Sequence, residues 1–359
     1  MNTTANKITF EKNTELPHPT ESTMLMKTES VGNPPARTHK LIMKTRVYEI
    51  RLKSNAIKRS KEFEMKGLAL FAVNSGLKCS HGCTYCSTGA SVRTHKAFKQ
   101  LNESPFQHGY AIIDPDTPRR VAKEAASKRK RGLVQLCTTV DAWAPEAYQY
   151  RLGRQCLEAL MAEPRWEVRI LTKNASVVDD FDFICKHRDR IRVGLSITAP
   201  LQKSDVIAAI EPNASSIKAR MDAMRAAHDL GLRTFGMLCP LLPGISDDSA
   251  SIQSLVDFEL DCGAEEIFME PVNPRGNGLI LTQKALEDAG FSSEARAVEA
   301  IRSEKNWSPY VAALLKNAQR ALANRHALDK LRFLLYPQSL TPTDRKAVEN
   351  APAGVKWLD

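Results

Sequence analysis

The chain has 359 residues, 43% hydrophobic and 26% charged, which is enough apolar material for one large domain or two ordinary ones. Lys and Arg number 51 against 41 Asp and Glu, a formal balance of +10 that favours a polyanionic partner. No stretch approaches the roughly 20 apolar residues of a membrane span, and the first residues, MNTTANKITFEKNTELPHPT, hold no apolar signal region, so a cytoplasmic protein with reduced thiols is expected. In chain order, residues 1–45 are rich in Thr, Asn, Pro, Glu and Lys and read as a flexible N-terminal extension. RVYEIRLKSNAIKRSKEFEMKG (46–67) opens with strand-like alternation and then turns basic and irregular.

From Gly67 onward short apolar runs alternate with helical patterns. The runs are LALFAVN (68–74), LVQLCTT (133–139), EVRILTK (167–173), IRVGLSIT (191–198), RTFGMLCPLLPG (233–244) and EEIFMEPVNP (265–274). Helical segments lie between them, with Ser215 or Ser216 as an N-cap and Gly231 and Gly263 as stops. Strand–helix alternation with near-continuous apolar strands predicts a parallel sheet with right-handed crossovers. Six such units predict an α/β fold, an incomplete TIM-type (β/α)6 barrel over residues 46–282, with a doubly wound sheet as the alternative. Residues 283–359 read as a helical C-terminal region packed on that barrel. Its longest amphipathic run is PYVAALLKNAQRALANRHALDKLRFLL (309–335).

The chemistry concentrates in CSHGCTYC, where Cys79, Cys83 and Cys86 follow a C-x-x-x-C-x-x-C spacing just after the first strand run. Barrel active sites are built from the loops at the C-terminal ends of the strands. Thiolates are the ligands of iron–sulfur clusters, and three of them leave one iron of a 4Fe–4S cluster open. Zinc with three cysteines and a histidine is the rival. His81 lies inside the tight turn, and His95 is the better candidate for that fourth place.

With Tyr85 in the aromatic place, C-x-x-x-C-x-aromatic-C resembles the cluster motif of the radical S-adenosylmethionine (SAM) superfamily. The resemblance implies a 4Fe–4S cluster on the three cysteines whose fourth iron chelates SAM. It implies that the reduced cluster cleaves SAM to methionine and a 5′-deoxyadenosyl radical, which abstracts hydrogen from a substrate. A reductase or a flavodoxin- or ferredoxin-type protein would supply the electron. Further landmarks (LCTTVDAWAPE, ILTKN, VGLSITAP, IEPNASS, LCPLLPGISD and EPVNPRG) follow in the order of the spore-photoproduct-lyase-like branch, also called DNA-repair-photolyase-like, over roughly residues 66–280. That likeness makes nucleic acid the leading substrate class.

The same resemblance places a SAM carboxylate ligand at Lys173 and a cofactor contact at Ser196, with Tyr85 beside them. Thr138, Thr139 and Asp141, in CTTVDAW, supply acceptor oxygens suited to the cofactor ammonium, although Asp141 also suits a helix cap. The segment departs from the T-D-P-Y-Q-P form common in the branch. Glu211 and Arg220 resemble a recurring pair of the branch, with a structural reading beside the functional one. Asn273 and Arg275 stand where substrate would enter. Cys137, in CTTVD, matches the cysteine that returns a hydrogen atom to the product radical in spore photoproduct lyase; a buried core cysteine is the alternative. Two other readings of the whole chain stand beside this one. One is the same radical chemistry on a peptide or small molecule. The other is a non-enzymatic metal-bearing nucleic-acid-binding module.

Overall fold

A computed structural model describes residues 45–127, 129–336 and 340–358. Its strands are β1 (Arg46–Glu49), β2 (Ile57–Arg59), β3 (Phe71–Val73), β4 (Gly76–Lys78), β5 (Tyr110–Ile113), β6 (Gly132–Leu136), β7 (Trp166–Thr172), β8 (Ile191–Leu195), β9 (Arg233–Thr234), β10 (Gly236–Leu241), β11 (Ile267–Pro271), β12 (Leu331–Leu335) and β13 (Val355–Trp357). One sheet runs β2-β3-β6-β7-β8-β9 and another β10-β11-β12-β13. All neighbours in both are parallel except the edge strand β2, which is antiparallel to β3. Phe235 alone separates β9 from β10, and Ser196 bridges Met237, so the two sheets form one curved wall.

All six apolar runs read from the sequence supply strands of this wall. Helices fill the crossovers and are punctuated as their caps predict. Ser216 accepts from the Ala219 amide at the head of Ile217–Asp229, and Gly231 closes that helix at φ +66°. No helix among the described residues is long and apolar enough to cross a membrane.

The helical reading of residues 283–359 needs correction. The helix Glu304–Asn324 stops at Asn324, His326 turns at φ +51°, and LRFLL becomes β12 beside β11. β13 follows, so the parallel wall continues past its sixth strand. The reason is physical: a short apolar run fits the period of either element, and LRFLL found an unpaired sheet edge. The expectation of a flexible extension falls on residues 1–44, which lie outside the described residues.

The floor of the barrel is packed, not open. Leu68, Phe235, Met237, Phe268, Leu334 and Leu358 form one buried cluster there. The Arg169 guanidinium lies between two rings, 4.7 Å from that of Phe235 and 4.9 Å from that of Phe268. Gly194 is required at this level, because a Cβ would sit 2.6 Å from the Phe235 ring. A small sheet, β1-β5-β4, flanks the barrel and was not legible as a unit. It delivers Lys78, the last residue of β4, directly to Cys79.

Candidate functional site

Above that floor, at the C-terminal ends of the strands, lies a cavity of about 260 Å³. Parallel strands bring their following loops to one end of a barrel, so residues far apart in sequence converge there. The loop after β4 contributes Cys79, Cys83, Tyr85 and Cys86; the end of β6 contributes Cys137 to Asp141; β7 gives Thr172 and Lys173; Ser196 follows β8; Cys239 comes from β10; Glu270 and Asn273 come from β11 and its loop. Every cluster, cofactor and hydrogen-donor residue read from the sequence lines this space, as does Asn273, whereas Arg275 does not.

The cysteine loop is held from three sides. The Thr84 amide donates to the Ile210 carbonyl at 2.9 Å and the Ser80 amide to Glu146 Oε1 at 3.0 Å. Asn213 Nδ2 donates to the Ser80 carbonyl at 2.8 Å. Gly82 makes the turn at φ +66°, a conformation that a side chain would strain. His81 lies with Nε2 2.9 Å from Asp141 Oδ2 and Nδ1 3.2 Å from the Asn213 carbonyl. Burial alone would lower its pKa, but the Asp141 carboxylate outweighs burial and raises it. With acceptors at both ring nitrogens, the imidazolium form is the one that satisfies the site. His95 caps the helix Lys96–Leu101 by accepting from the Ala97 amide. Neither histidine is therefore placed as a fourth ligand beside the thiols.

Cys83 is buried, Cys79 half-buried and Cys86 exposed, and none is in a disulfide. Burial pushes the Cys79 thiol well up and that of Cys83 up to about 12; neighbouring carboxylates and the other two cysteines push Cys79 further. Among the described residues, no three His, Cys, Asp or Glu side chains are gathered tightly enough to hold a single metal ion. In donor chemistry the set fits a cluster: three thiols on one loop, lining one cavity.

Beside the cysteine loop is a network of ions. Lys173 Nζ donates to Ser196 Oγ at 2.8 Å and to Glu211 Oε1 at 3.2 Å. Arg220 donates to the other oxygen of Glu211, to the Ser196 carbonyl at 2.6 Å and to the Ser215 carbonyl at 2.9 Å. Thr198 Oγ1 and the Tyr85 hydroxyl also donate to Glu211 Oε1. Burial would raise Glu211, but Arg220 and Lys173 hold it down at about 2. The pair from IEP and its arginine thus orders the wall that carries Lys173, Ser196 and Tyr85.

Asp141 accepts from the Trp143 and Lys173 amides, from Thr172 Oγ1 and from His81. Its carboxylate joins three loops and has little capacity left for an ammonium. Thr138 is similarly engaged: Asn74 Oδ1 accepts from the Thr138 and Thr139 amides, and Asn74 Nδ2 donates to Thr138 Oγ1. Among the described residues the Thr139 hydroxyl has no hydrogen-bond partner while the residue lines the cavity.

Cys137 follows β6 with φ +52°, rare for a residue with a side chain, and its sulfur lies 3.6 Å from Ser75 Oγ. It is 3% exposed, yet lines the cavity, and burial pushes its thiol up to about 12. Cys239, not singled out from the sequence, also lines the cavity, and its thiol donates to Glu270 Oε2 at 3.3 Å. Cys239 lies in the middle of an apolar strand run, where the sequence gives no sign that it reaches the cavity. Asn74 and Glu270 carried no sequence signal beyond position. Asn273 Oδ1 accepts from the Arg275 amide at 2.9 Å, an internal turn bond. Arg275 is exposed, its guanidinium 4.9 Å from the Tyr336 ring, in a smaller adjoining cavity of about 200 Å³.

The chain is 27% identical over 216 residues to the uncharacterized protein ORF301 of Acidianus two-tailed virus, a match covering 57% of this chain and 68% of that one. It is 24% identical over 182 residues to the uncharacterized protein MJ0683 of Methanocaldococcus jannaschii, covering 50% and 63%. Among solved structures it resembles a spore photoproduct lyase mutant with bound AdoMet and dinucleoside spore photoproduct. That likeness is one of fold, with TM-score 0.53, 14% identity, and coverage of 82% of this chain and 85% of that chain. A family model described as the radical SAM superfamily matches residues 73–255, from the end of β3 into the helix Ser249–Asp261. The cysteine loop and the strand-end network both fall within that span, and the chain belongs to the radical SAM superfamily.

Proposed function

We propose that this chain is an enzyme that cleaves SAM reductively and directs the resulting radical at a nucleic-acid substrate. The observation that carries it is the convergence of a three-cysteine loop and the Lys173–Ser196–Glu211 network on one cavity at the strand ends. A 4Fe–4S cluster bound by Cys79, Cys83 and Cys86 would supply the electron that breaks SAM into methionine and a 5′-deoxyadenosyl radical. The residues of this chain bind and orient. Lys173 has three ammonium protons, two of them committed to Ser196 and Glu211, and the third suits the SAM carboxylate. The Thr139 hydroxyl suits the ammonium, and Asp141 positions Thr172, Lys173 and His81 around them. Cys137 is the hydrogen donor: burial keeps it as thiol, the form from which a hydrogen atom can leave.

The nucleic-acid assignment rests on the +10 balance and on the likeness of fold to a lyase whose structure holds a dinucleoside. A flavodoxin- or ferredoxin-type protein, or a reductase, would deliver the electron. The test is anaerobic reconstitution, iron and sulfide analysis, and a search for 5′-deoxyadenosine after reduction with SAM present. Iron and sulfide in equal amount with 5′-deoxyadenosine formed, both lost in the Cys79→Ala, Cys83→Ala and Cys86→Ala triple variant, is the expected result. A single bound zinc and no 5′-deoxyadenosine would support the non-enzymatic module instead.

A further inference from the structure

The positive charge of this chain is not spread over it. Residues 45–131 hold 18 Lys and Arg against 7 Asp and Glu, whereas residues 132–359, which include most of the barrel, hold 27 against 30. The whole excess therefore belongs to the segment that carries β1, β2, the small sheet, the helices Lys96–Leu101 and Thr117–Ala125, and the basic run KRKR at 128–131 before β6.

Within this segment Asp114, Glu103 and Glu124 are turned toward the fold, while Glu49, Glu62 and Glu64 are exposed. Asp114 is fully buried and accepts from the Leu52 amide at 3.0 Å. Glu124 accepts from the Ala56 amide at 2.6 Å and the Ile57 amide at 3.1 Å. Glu103 takes the Tyr48 hydroxyl and Arg46. The cations are left outside: Arg51, Lys53, Lys58, Lys96 and Lys99 are exposed and, among the described residues, have no ion pair. In the barrel and C-terminal region Arg192, Arg220, Arg233, Arg325 and Arg332 face carboxylates, and exposed cations such as Lys186, Arg188, Arg296, Lys316 and Arg320 are spread over three helices and a loop.

Arg51, Lys53, Lys58, Lys96 and Lys99 share one side. Residues 51–58 wrap the start of the helix Thr117–Ala125, where Arg120 donates to the Ser54 carbonyl at 2.5 Å. Lys58 is within electrostatic reach of both Arg120 and His95: partial desolvation and then the Arg120 charge lower its pKa, while burial and then Lys58 and Lys96 lower that of His95. Lys96 adjoins His95, and Lys99 lies one turn further along the same helix face. In the chain the cysteine loop leads through the helix Thr88–Val92 to His95 and Lys96. Lys58 and Arg59 alone would be explained as guards of the edge strand β2. That explanation does not reach Arg51, Lys53, Lys96 or Lys99, which lie on other elements.

We infer that this band, from Arg51 through Lys58 to Lys99, is a docking surface for the phosphate backbone of nucleic acid, leading the strand to the barrel mouth. The inference rests on the nucleic-acid reading above and adds where the polymer lies. An array of unpaired cations with no apolar centre suits repeated phosphates, and binding there would release counterions and depend steeply on salt.

The experiment uses the reconstituted protein and a fluorescein-labelled DNA duplex of about 20 base pairs, with anisotropy followed across a salt series of about 50 to 200 mM. One variant combines Arg51→Gln, Lys53→Gln, Lys58→Gln, Lys96→Gln and Lys99→Gln. A control of equal net charge combines Lys186→Gln, Arg188→Gln, Arg296→Gln, Lys316→Gln and Arg320→Gln, all exposed cations of the barrel and C-terminal helices. The band variant is expected to bind at least about tenfold more weakly, with a salt slope flatter by about 0.9 for each phosphate no longer neutralised. The control should bind nearly as the parent does. A third protein with Lys53→Arg, Lys58→Arg, Lys96→Arg and Lys99→Arg should retain binding, which separates the effect of charge from a failure to fold. Equal weakening in band variant and control would show a response to net charge only and overturn the inference. Tight DNA binding that the band variant leaves unchanged would overturn it while sparing the nucleic-acid reading. No DNA binding by the parent, with an acidic flavodoxin-type protein held at the band instead, would overturn both.

Discussion

Lys173 and Cys137 illustrate how much one side chain at a strand end can carry. If Lys173 pairs with the SAM carboxylate, Lys173→Ala removes a charge-assisted interaction of about 1.5–3 kcal/mol, roughly ten- to more than a hundredfold in affinity. Cluster content should be unchanged, and titration of SAM into the reconstituted protein reads the loss directly. Unaltered affinity would leave Lys173 as a partner of Glu211 only. Cys137 makes two separable predictions. As hydrogen donor, Cys137→Ala still cleaves SAM but lets the product radical partition to side products, which product analysis would show once the substrate is in hand. As a residue at φ +52°, it carries backbone strain that Ala retains and Gly relieves. Cys137→Gly should therefore be more stable than Cys137→Ala by about 1 kcal/mol in urea unfolding. The sequence marked both residues through the resemblance to the family's motifs, together with their strand-end position in the apolar runs. It could not show how far Asp141 is already committed, because a carboxylate looks the same in sequence whether its lone pairs are free or already accept from four groups.

At the scale of elements, the wall formed by β7, β8 and the helix Ile217–Asp229 depends on a fully buried pair, Glu211 and Arg220. The sequence marked them by resemblance to a recurring pair of the branch, with a structural reading beside the functional one, and the structure shows bonds that order this wall. What the sequence lacked was Asn74, whose amide pins the Thr138–Thr139 turn from the neighbouring strand end, because no local pattern announces a contact across a barrel mouth. The Glu211 carboxyl is held at about 2 against an ordinary 4.5. The folded chain thus binds this proton less tightly than the unfolded chain does. The stabilisation is complete above the unfolded value and is lost as pH falls from about 4.5 toward about 2. Glu211→Gln should lower stability at neutral pH by about 3–5 kcal/mol, since it leaves Arg220 buried without its counter-charge. Its thermal melting should also fall less steeply than the parent's between about pH 5 and pH 2. Parallel melting curves for the two proteins would show that the acid loss comes from other carboxylates.

At the scale of the whole molecule, the radical SAM match ends inside the helix Ser249–Asp261, but the folded unit does not. β11, β12 and β13 complete the wall, and the Leu358 amide donates to the Leu335 carbonyl at 2.8 Å. Leu358 is fully buried in the floor cluster with Phe235, Phe268 and Leu334. VKWLD carries no strand signal in the sequence because a three-residue strand has too few positions to display a period. Its partner strand was hidden inside a helical pattern. The consequence is that Leu358 is core and not part of an appendage. Leu358→Ala should destabilise the protein by about 2–5 kcal/mol, the range for a buried leucine whose cavity only partly collapses. The rigid neighbours argue for the upper part of that range, because Phe235 is pressed against Gly194 and Arg169 is fixed between two rings. Truncation after Asn350 would remove β13 and Leu358 together, exposing the edge of β12 and the floor beneath the cavity. Urea unfolding of Leu358→Ala, with the cavity residues untouched, is the measurement. A loss under about 1 kcal/mol, the level of an ordinary surface substitution, would mean that the C-terminal strand only rests on the barrel and does not close its floor.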